Sequence, residues 1–397
     1  MSCKFAVLGH GVVGSGVVEL FYKNKASIEK RAGTDMDVKY ILDLRDFPDS
    51  PYRDKFTKDF NDILEDDEVT SVAECMGGVE PAYTFVKACL EKGKSVSTSN
   101  KELVAEKGDI LLQTAREHGC NFFFEASVGG AIPIIRPLHR CLAANDIYKC
   151  AGILNGTTNF ILTKMYNESM KFSDALALAQ KLGYAEKDPT ADVEGLDACR
   201  KICIISSLVF GKHVYPSSVY TKGISEIELC DVSASDVLGG AIKLIACVQR
   251  NENGKILPFV MPMFIPYDNI ISGVSDVFNA LLAYGDGIDK VMMYGRGAGK
   301  LPTASAVLGD VIETAKGGET VLSQTWESAD DASFIDSIDN LRAKWYFRVS
   351  ADSEVNVEGA YTHDDGISFI TDTEYTFAEA RKMAVDMKAS AFYPVLD

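Results

Sequence analysis

The sequence predicts an α/β fold in which an N-terminal dinucleotide-binding domain precedes an α+β domain and a short C-terminal tail. Three observations carry this reading. A glycine turn sits between an apolar strand and an apolar helix at the start of the chain. Strand and helix patterns then alternate to about residue 120. Beyond residue 150 the pattern changes to strand-rich segments mixed with helices.

The stretch from Lys4 to Phe21 reads as buried strand, glycine turn and helix, with Gly9, Gly11 and Gly14 in G-x-G-x-x-G spacing. Such a turn lets backbone amides, including those of Val12 and Val13, approach a pyrophosphate at a helix N-terminus. His10 fills an unspecified position of the motif and reads as a bystander. The next strand, from Val38, ends in Asp43 with Arg45 two residues on. An acid there favours the free ribose 2′-OH of NAD and an arginine the 2′-phosphate of NADP, so both coenzymes stay open. Strands from Thr70, Ser95 and Asn121 alternate with helices over 81–92 and 103–118, as expected of an open parallel Rossmann sheet. The helix from Leu301, opened by Pro302, is expected to return to this domain. Residues 317–339 read as a polar linker, and the last ~60 residues as short strands with a final helix over 377–387.

At 397 residues the chain is long enough for two or three domains. Net charge is −17 and Lys/Arg do not cluster, which argues against nucleic acid or anionic membrane as partners. No apolar run approaches a membrane span and the N-terminus lacks a secretory pattern, so a cytoplasmic location is expected. Ten scattered cysteines without CxxC spacing read as reduced and buried, and five isolated histidines show no transition-metal spacing.

Asp197 and Lys201 stand one helical turn apart on a helix that carries no charge beyond Lys201, and their face continues through Ile205 and Leu208. That leads an ammonium toward a desolvated pocket where proton transfer becomes possible. On spacing alone, an ordinary i,i+4 salt bridge on a solvated face fits equally well. Glu186 and Asp192 also read as first-turn or N-cap acids, and Lys101 as a surface lysine opening a helix. Gly77, Gly183 and Gly297 read as turn glycines, and Ser99 as a serine approaching a helix. Glu125 stands beside a glycine-containing bend that, from the sequence alone, reads as a structural loop.

Over residues 1 to about 317 the chain closely resembles homoserine dehydrogenase. The resemblance rests on the glycine turn together with Ser99-Asn-Lys-Glu102, Phe124-Glu-Ala-Ser-Val-Gly-Gly-Ala-Ile-Pro-Ile-Ile135 and Gly152-Ile-Leu-Asn-Gly-Thr-Thr-Asn-Phe160. Gly183-Tyr-Ala-Glu-Lys-Asp-Pro189, Gly195-Leu-Asp-Ala-Cys-Arg-Lys201, Tyr294-Gly-Arg-Gly-Ala-Gly299 and Pro302-Thr-Ala-Ser-Ala-Val307 complete it. It implies NAD(P)-dependent interconversion of L-homoserine and L-aspartate 4-semialdehyde, a step toward threonine and methionine. Lys201 is then the proton donor and acceptor, with Asp197 and Lys101 beside it. Glu186, Asp192, Asp197 and Thr157 would bind substrate. Gly77, Ser99, Lys101, Gly183, Glu186 and Gly297 would join Asp43, Arg45 and the glycine turn around the coenzyme. Similar enzymes hold a monovalent cation such as sodium, which implies Glu125 with backbone oxygens of Val128, Gly130 and Ile132. A homodimer or homotetramer is implied as well.

The implied domains are 1–148 for NAD(P) binding, 149–317 for catalysis and dimerisation, and 340–397 for a degenerate ACT-like tail. Relatives with a full ACT module have a Pro-Gly turn after its first strand. Here Trp345 to Asp352 supplies the strand, but Ser353-Glu-Val-Asn-Val357 follows, so little direct threonine inhibition is expected.

Overall fold

Why the N-terminal third forms one parallel sheet follows from its short, largely buried strands separated by helices. The computed structural model describes residues 3–317, 326–329, 331–353 and 357–396. Strands β1 (Cys3–Leu8), β2 (Met36–Leu42), β3 (Phe56–Thr57), β4 (Val69–Glu74), β5 (Ser95–Thr98) and β6 (Phe122–Phe123) pair in parallel in the order β3-β2-β1-β4-β5-β6. The order reverses between β1 and β4, the place where open α/β sheets take their ligands. Helices α1 (Val12–Ala32), α2 (Asn61–Leu64), α3 (Ala82–Glu91) and α4 (Lys101–Glu117) make the crossovers. The two long predicted crossover helices lie within two residues of their expected bounds, because their apolar spacing is regular.

The second sheet is mixed. Its strands are β7 (Ile147–Ile153), β8 (Tyr220–Thr221), β9 (Gly240–Arg250), β10 (Ile256–Pro266), β11 (Phe278–Gly285) and β12 (Asp289–Arg296), in the order β12-β11-β7-β9-β10-β8. Strands β9 and β10 are buried along nearly their whole length, so both faces of the sheet are covered there. Helices α5 (Gly156–Glu168), α6 (Phe172–Lys181), α7 (Thr190–Val193), α8 (Leu196–Phe210) and α9 (Leu229–Val237) accompany it. No helix among the described residues is long and apolar enough to cross a membrane.

By contact density the chain forms two units, residues 1–144, 203–216 and 295–330 in one, and 145–202, 217–294 and 331–397 in the other. In the first, helix α10 (Lys300–Ala315) packs on α1: a Cβ on Gly16 would come within 2.8 Å of the Lys300 carbonyl. Its Ala304, Val307, Leu308 and Val311 share a core with Phe5, Val17 and Phe21. The stretch read as a linker lies partly outside the described residues. Within it, Trp326 is buried and its Nε1 donates to His213 Nδ1 at 2.9 Å, while Ser328 donates to Asp109 at 2.7 Å, so residues 326–329 are held in place.

The tail adds β13 (Arg342–Ala343), β14 (Trp345–Val349), β15 (Tyr361–His363), β16 (Gly366–Ile370), β17 (Tyr375–Thr376), α11 (Phe377–Asp386) and β18 (Ala391–Pro394). Its main sheet is antiparallel in the order β15-β16-β14-β18, the strand order of a ferredoxin-like βαββαβ module, but the described residues between β14 and β15 form turns in place of the first helix. Residues 354–356, part of the segment expected to lack the ligand-binding turn, lie outside the described residues. The tail has no core of its own: Trp345, Phe347, Phe369 and Phe377 pack in one cluster with Leu257, Phe259, Met261 and Ile265. A buried ion pair fixes the junction. Arg348 Nε donates to Asp231 Oδ1 at 2.8 Å, and the Tyr346 hydroxyl donates to the same oxygen at 3.2 Å. Asp231 also accepts the Glu228 N–H that opens α9.

One carboxylate is enclosed where the first sheet meets the turns at the carboxyl ends of its strands. Glu74, the last residue of β4, is fully buried and accepts the Met76 N–H at 2.7 Å and the Thr98 hydroxyl. Burial pushes its pKa up to about 7 against these hydrogen bonds.

Two outcomes are expected. Arg348→Met strands the Asp231 charge and should cost about 3–5 kcal/mol in urea unfolding, with part of the loss recovered by adding Asp231→Leu. The second concerns pH. Because the folded chain binds the Glu74 proton more tightly than the unfolded chain, this group lowers stability as pH rises from the ordinary carboxyl range to about 7, and contributes a constant term above. The pH dependence of stability in Glu74→Gln should be flatter across that window, and parallel curves for the two proteins would refute the assignment.

Candidate active site

Each unit contributes its own constellation. In the first, the glycine turn follows from steric need. Gly9 has φ +87°, and a Cβ on Gly14 would stand 1.8 Å from the Gly9 carbonyl oxygen, so only glycine permits the helix to start this close to the strand. Gly11 is the N-cap of α1 without a side-chain cap, and nothing lies within 4 Å of the Cβ position there. The first-turn amides of Val12, Val13 and Gly14 have no intrahelical acceptor, which suits them to an anion.

Asp43, just past β2, accepts the His10 N–H at 2.8 Å, the Arg45 N–H at 3.0 Å and the Arg45 guanidinium at 2.9–3.0 Å. The Arg45 side chain, followed by the backbone bonds, holds the Asp43 carboxyl well below the usual range. His10 is therefore more than the bystander the motif suggested. Its backbone braces Asp43, and its ring stands edge-on to both Phe47 and Phe56 at 4.9 Å. Burial lowers its pKa. Arg45 is exposed and lies over Phe47, at the wall of a cleft of about 440 Å³ that also takes in Arg53 and Lys58.

Gly77 is exposed on the turn after β4, and Ser99 and Lys101 are half-buried on the turn after β5. Asn100 caps α4 by accepting the Leu103 N–H at 3.1 Å, and its amide donates to the Gly78 carbonyl at 2.6 Å, tying the two turns together. Glu125 is buried, and its carboxylate accepts the N–H groups of Ile134, Ile135 and Arg136 at 2.7–2.9 Å. The side chain is thus a brace for the following turn rather than an open ligand. The nearby carbonyls of Val128, Gly130 and Ile132 are on buried residues and accept no hydrogen bond from the described residues. Gly130, at φ +54°, packs so closely on Gly297 that a Cβ would lie 2.6 Å from the Gly297 carbonyl. No cluster of three or more His, Cys, Asp or Glu suited to a metal occurs among the described residues.

The second unit holds the acid-base constellation. Lys201 is 8% exposed and Asp197 6%. The Lys201 ammonium donates to Asp197 Oδ2 at 2.7 Å and to the Leu154 carbonyl at 2.6 Å. Its third proton meets no acceptor among the described residues. Burial removes the reading of this pair as a solvated salt bridge.

Asn155 organises the group. Its Oδ1 accepts the Thr158 N–H at 2.8 Å and caps α5, while its Nδ2 donates to Asp192 at 2.7 Å and to Asp197 at 2.8 Å. Burial raises the Asp192 pKa, and the Asp197 charge adds to the effect, against hydrogen bonds from Asn155 and Thr157. The Thr157 hydroxyl donates to the Tyr184 carbonyl at 2.7 Å. Lys201, Asp197, Asp192 and Thr157 are therefore brought together. Glu186 and Gly183 are exposed on the loop between α6 and α7, whose Tyr184 carbonyl accepts the Thr157 hydroxyl.

Sequence reasoning gave no role to Asn155 or Glu74. For Asn155 a signal existed, an Asn before a helix start. Nothing in the sequence marks Glu74, since its bonds connect β4 to β5 across the sheet.

A buried amine held by a carboxylate in one unit, and a coenzyme-type glycine turn in the other, are the parts of a dehydrogenase. Comparison with known proteins gives the class. Residues 133–312 match the family model of homoserine dehydrogenase, and residues 9–125 that of the homoserine dehydrogenase NAD-binding domain. A homoserine dehydrogenase of Bacillus subtilis is 41% identical over 318 residues, 79% of this chain and 73% of that protein. The crystal structure of a homoserine dehydrogenase from Thiobacillus denitrificans superposes with a TM-score of 0.88 at 31% identity, covering 100% of this chain and 99% of that one. A hyperthermophilic archaeal homoserine dehydrogenase in complex with NADPH matches 79% of this chain and 98% of its own, with a TM-score of 0.66 and 27% identity. Both groups of residues fall inside the matched regions, and the chain belongs to the homoserine dehydrogenase family.

Proposed function

We propose that Lys201 carries the proton in the NAD(P)-dependent interconversion of L-homoserine and L-aspartate 4-semialdehyde, the oxidoreductase reaction of this family in amino-acid biosynthesis. The observation that carries the reading is the buried Lys201 ammonium, fixed by Asp197 and the Leu154 carbonyl with one proton left to point elsewhere. The coenzyme supplies the hydride chemistry when bound. In reduction Lys201 gives its proton to the oxygen of the aldehyde as the carbon accepts hydride; in oxidation it takes the hydroxyl proton. Asp197 orients the ammonium. Lys101 is a second cation for the substrate and coenzyme.

Asp192 and Asp197 share one Asn155 amide and burden each other with like charge. An α-ammonium bound there relieves that repulsion, which supports Asp192, with Thr157 and Glu186, as the binding group for the amino acid. Gly9, Gly11, Val12, Val13 and Gly14 take the pyrophosphate of the coenzyme, with Gly77, Ser99, Gly183 and Gly297 along the rest of it. The carbonyls of Val128, Gly130 and Ile132, which accept no hydrogen bond from the described residues, are the ligand chemistry of a hard monovalent cation such as sodium, with Glu125 bracing the bend. A homodimer or homotetramer is supported by the exposed Tyr166, Val237, Tyr267 and Ile270 of the second unit.

Arg45 favours NADP over NAD. It offers a cation to the 2′-phosphate and at the same time neutralises Asp43, which would otherwise repel that phosphate and bind a free 2′-OH.

Lys201→Ala should lose ~10²–10⁴-fold in turnover with coenzyme affinity nearly unchanged. Steady-state rates with homoserine and coenzyme titrations check this, and near-normal turnover would remove Lys201 from the chemistry. Arg45→Ala should weaken NADP by about tenfold while NAD changes by less than about threefold. Equal losses for the two coenzymes would show that Arg45 does not face the 2′ position.

A further inference from the structure

The buried Glu74 takes no part in the chemistry assigned above. Beyond its bonds to the Met76 N–H and the Thr98 hydroxyl, its own carbonyl accepts the Ser99 N–H at 3.2 Å, and Glu74 and Thr98 are direct partners in the β4/β5 pairing. The Thr98 hydroxyl in turn accepts the Asn100 N–H at 2.9 Å. From Asn100 the chain of bonds runs to the Gly78 carbonyl and to the Leu103 N–H at the start of α4. One carboxylate thus ties together the turn that bears Gly77 and the turn that bears Ser99 and Lys101. Both turns leave the carboxyl ends of adjacent parallel strands, where such sheets bind ligands.

No cation bonds to Glu74 among the described residues, so its burial is costly and gains nothing that an apolar side chain would not supply by packing. What an apolar residue cannot do is accept the Met76 amide and the Thr98 hydroxyl together.

We infer that Glu74 is a positioning residue for the reaction, holding the Met76–Gly78 and Ser99–Lys101 turns in the geometry that binds the coenzyme. This rests on the placement of Gly77, Ser99 and Lys101 at the coenzyme proposed above. Glutamine is the conservative replacement, since its carbonyl can accept the Met76 amide and its NH₂ can donate to Thr98.

The test uses Glu74→Ala, Glu74→Gln, Thr98→Val and the Glu74→Ala/Thr98→Val double variant of the full chain. Binding of NADPH and NADH is followed by nicotinamide fluorescence, and hydrogen exchange is followed at the amides of 76–78 and 99–103. Glu74→Ala should weaken coenzyme binding by about tenfold and speed exchange in both turns, Glu74→Gln should restore binding to within about threefold of wild type, and the double variant should be no worse than the worse single one. Unchanged affinity in a folded Glu74→Ala, equal loss in Ala and Gln, or additive losses would overturn the inference. Should Glu74→Ala fail to fold, Thr98→Val carries the same test, because it removes the hydroxyl that joins Glu74 to the Asn100 N–H and leaves the carboxylate in place. Lys101→Ala and Ser99→Ala separate the two readings. If both leave coenzyme affinity intact, the placement of these turns at the coenzyme is wrong; if they weaken it and Glu74→Ala does not, Glu74 alone is misassigned.

Discussion

The acid-base constellation depends on the side chain of Asn155. Its oxygen terminates α5 and its nitrogen spans two carboxylates, one of which holds the Lys201 ammonium. A single planar amide thereby links the start of one helix to the position of a buried ammonium on another. Because α5 is anchored by its cap and α8 by its packing, Lys201 has little freedom. A lysine side chain is otherwise rich in rotamers, and fixing it in advance removes part of the entropy that a productive geometry costs. The neighbouring acids tolerate burial only because the amide and the ammonium divide their charge.

The dinucleotide half obeys a different constraint, the close approach of backbone to backbone. Gly9 and Gly14 meet with no room for a Cβ, so strand and helix converge and leave the first-turn amides open. Around this turn, charge is arranged in layers. Asp43 is braced by the His10 backbone and neutralised by Arg45, and Arg45 in turn rests on Phe47. In a chain of net charge −17 an anionic coenzyme cannot rely on the overall field. Local cations and helix amides must do it.

The C-terminal tail shows how a small module is kept without a core of its own. Its strands place aromatic residues against β10, and the Arg348–Asp231 pair locks it to the cap of α9. Stability of the tail and of the mixed sheet is consequently one quantity, since neither can open without exposing the shared aromatic cluster to water.

Much was legible in the sequence. The glycine spacing and the strand-helix alternation set the Rossmann half, and the i,i+4 spacing with an uncharged continuation marked Asp197 and Lys201. These are local patterns, fixed by helix and strand periodicity. Other features were decided only by tertiary structure. Asn155 became a hub because α5, α7 and α8 converge on it, and Glu74 a brace because β4 and β5 pair in register. The Glu125 carboxylate turned to three amides instead of staying open, and the tail merged its core with the mixed sheet. Each of these depends on contacts between residues distant in sequence, whose burial and hydrogen-bond partners no local spacing encodes.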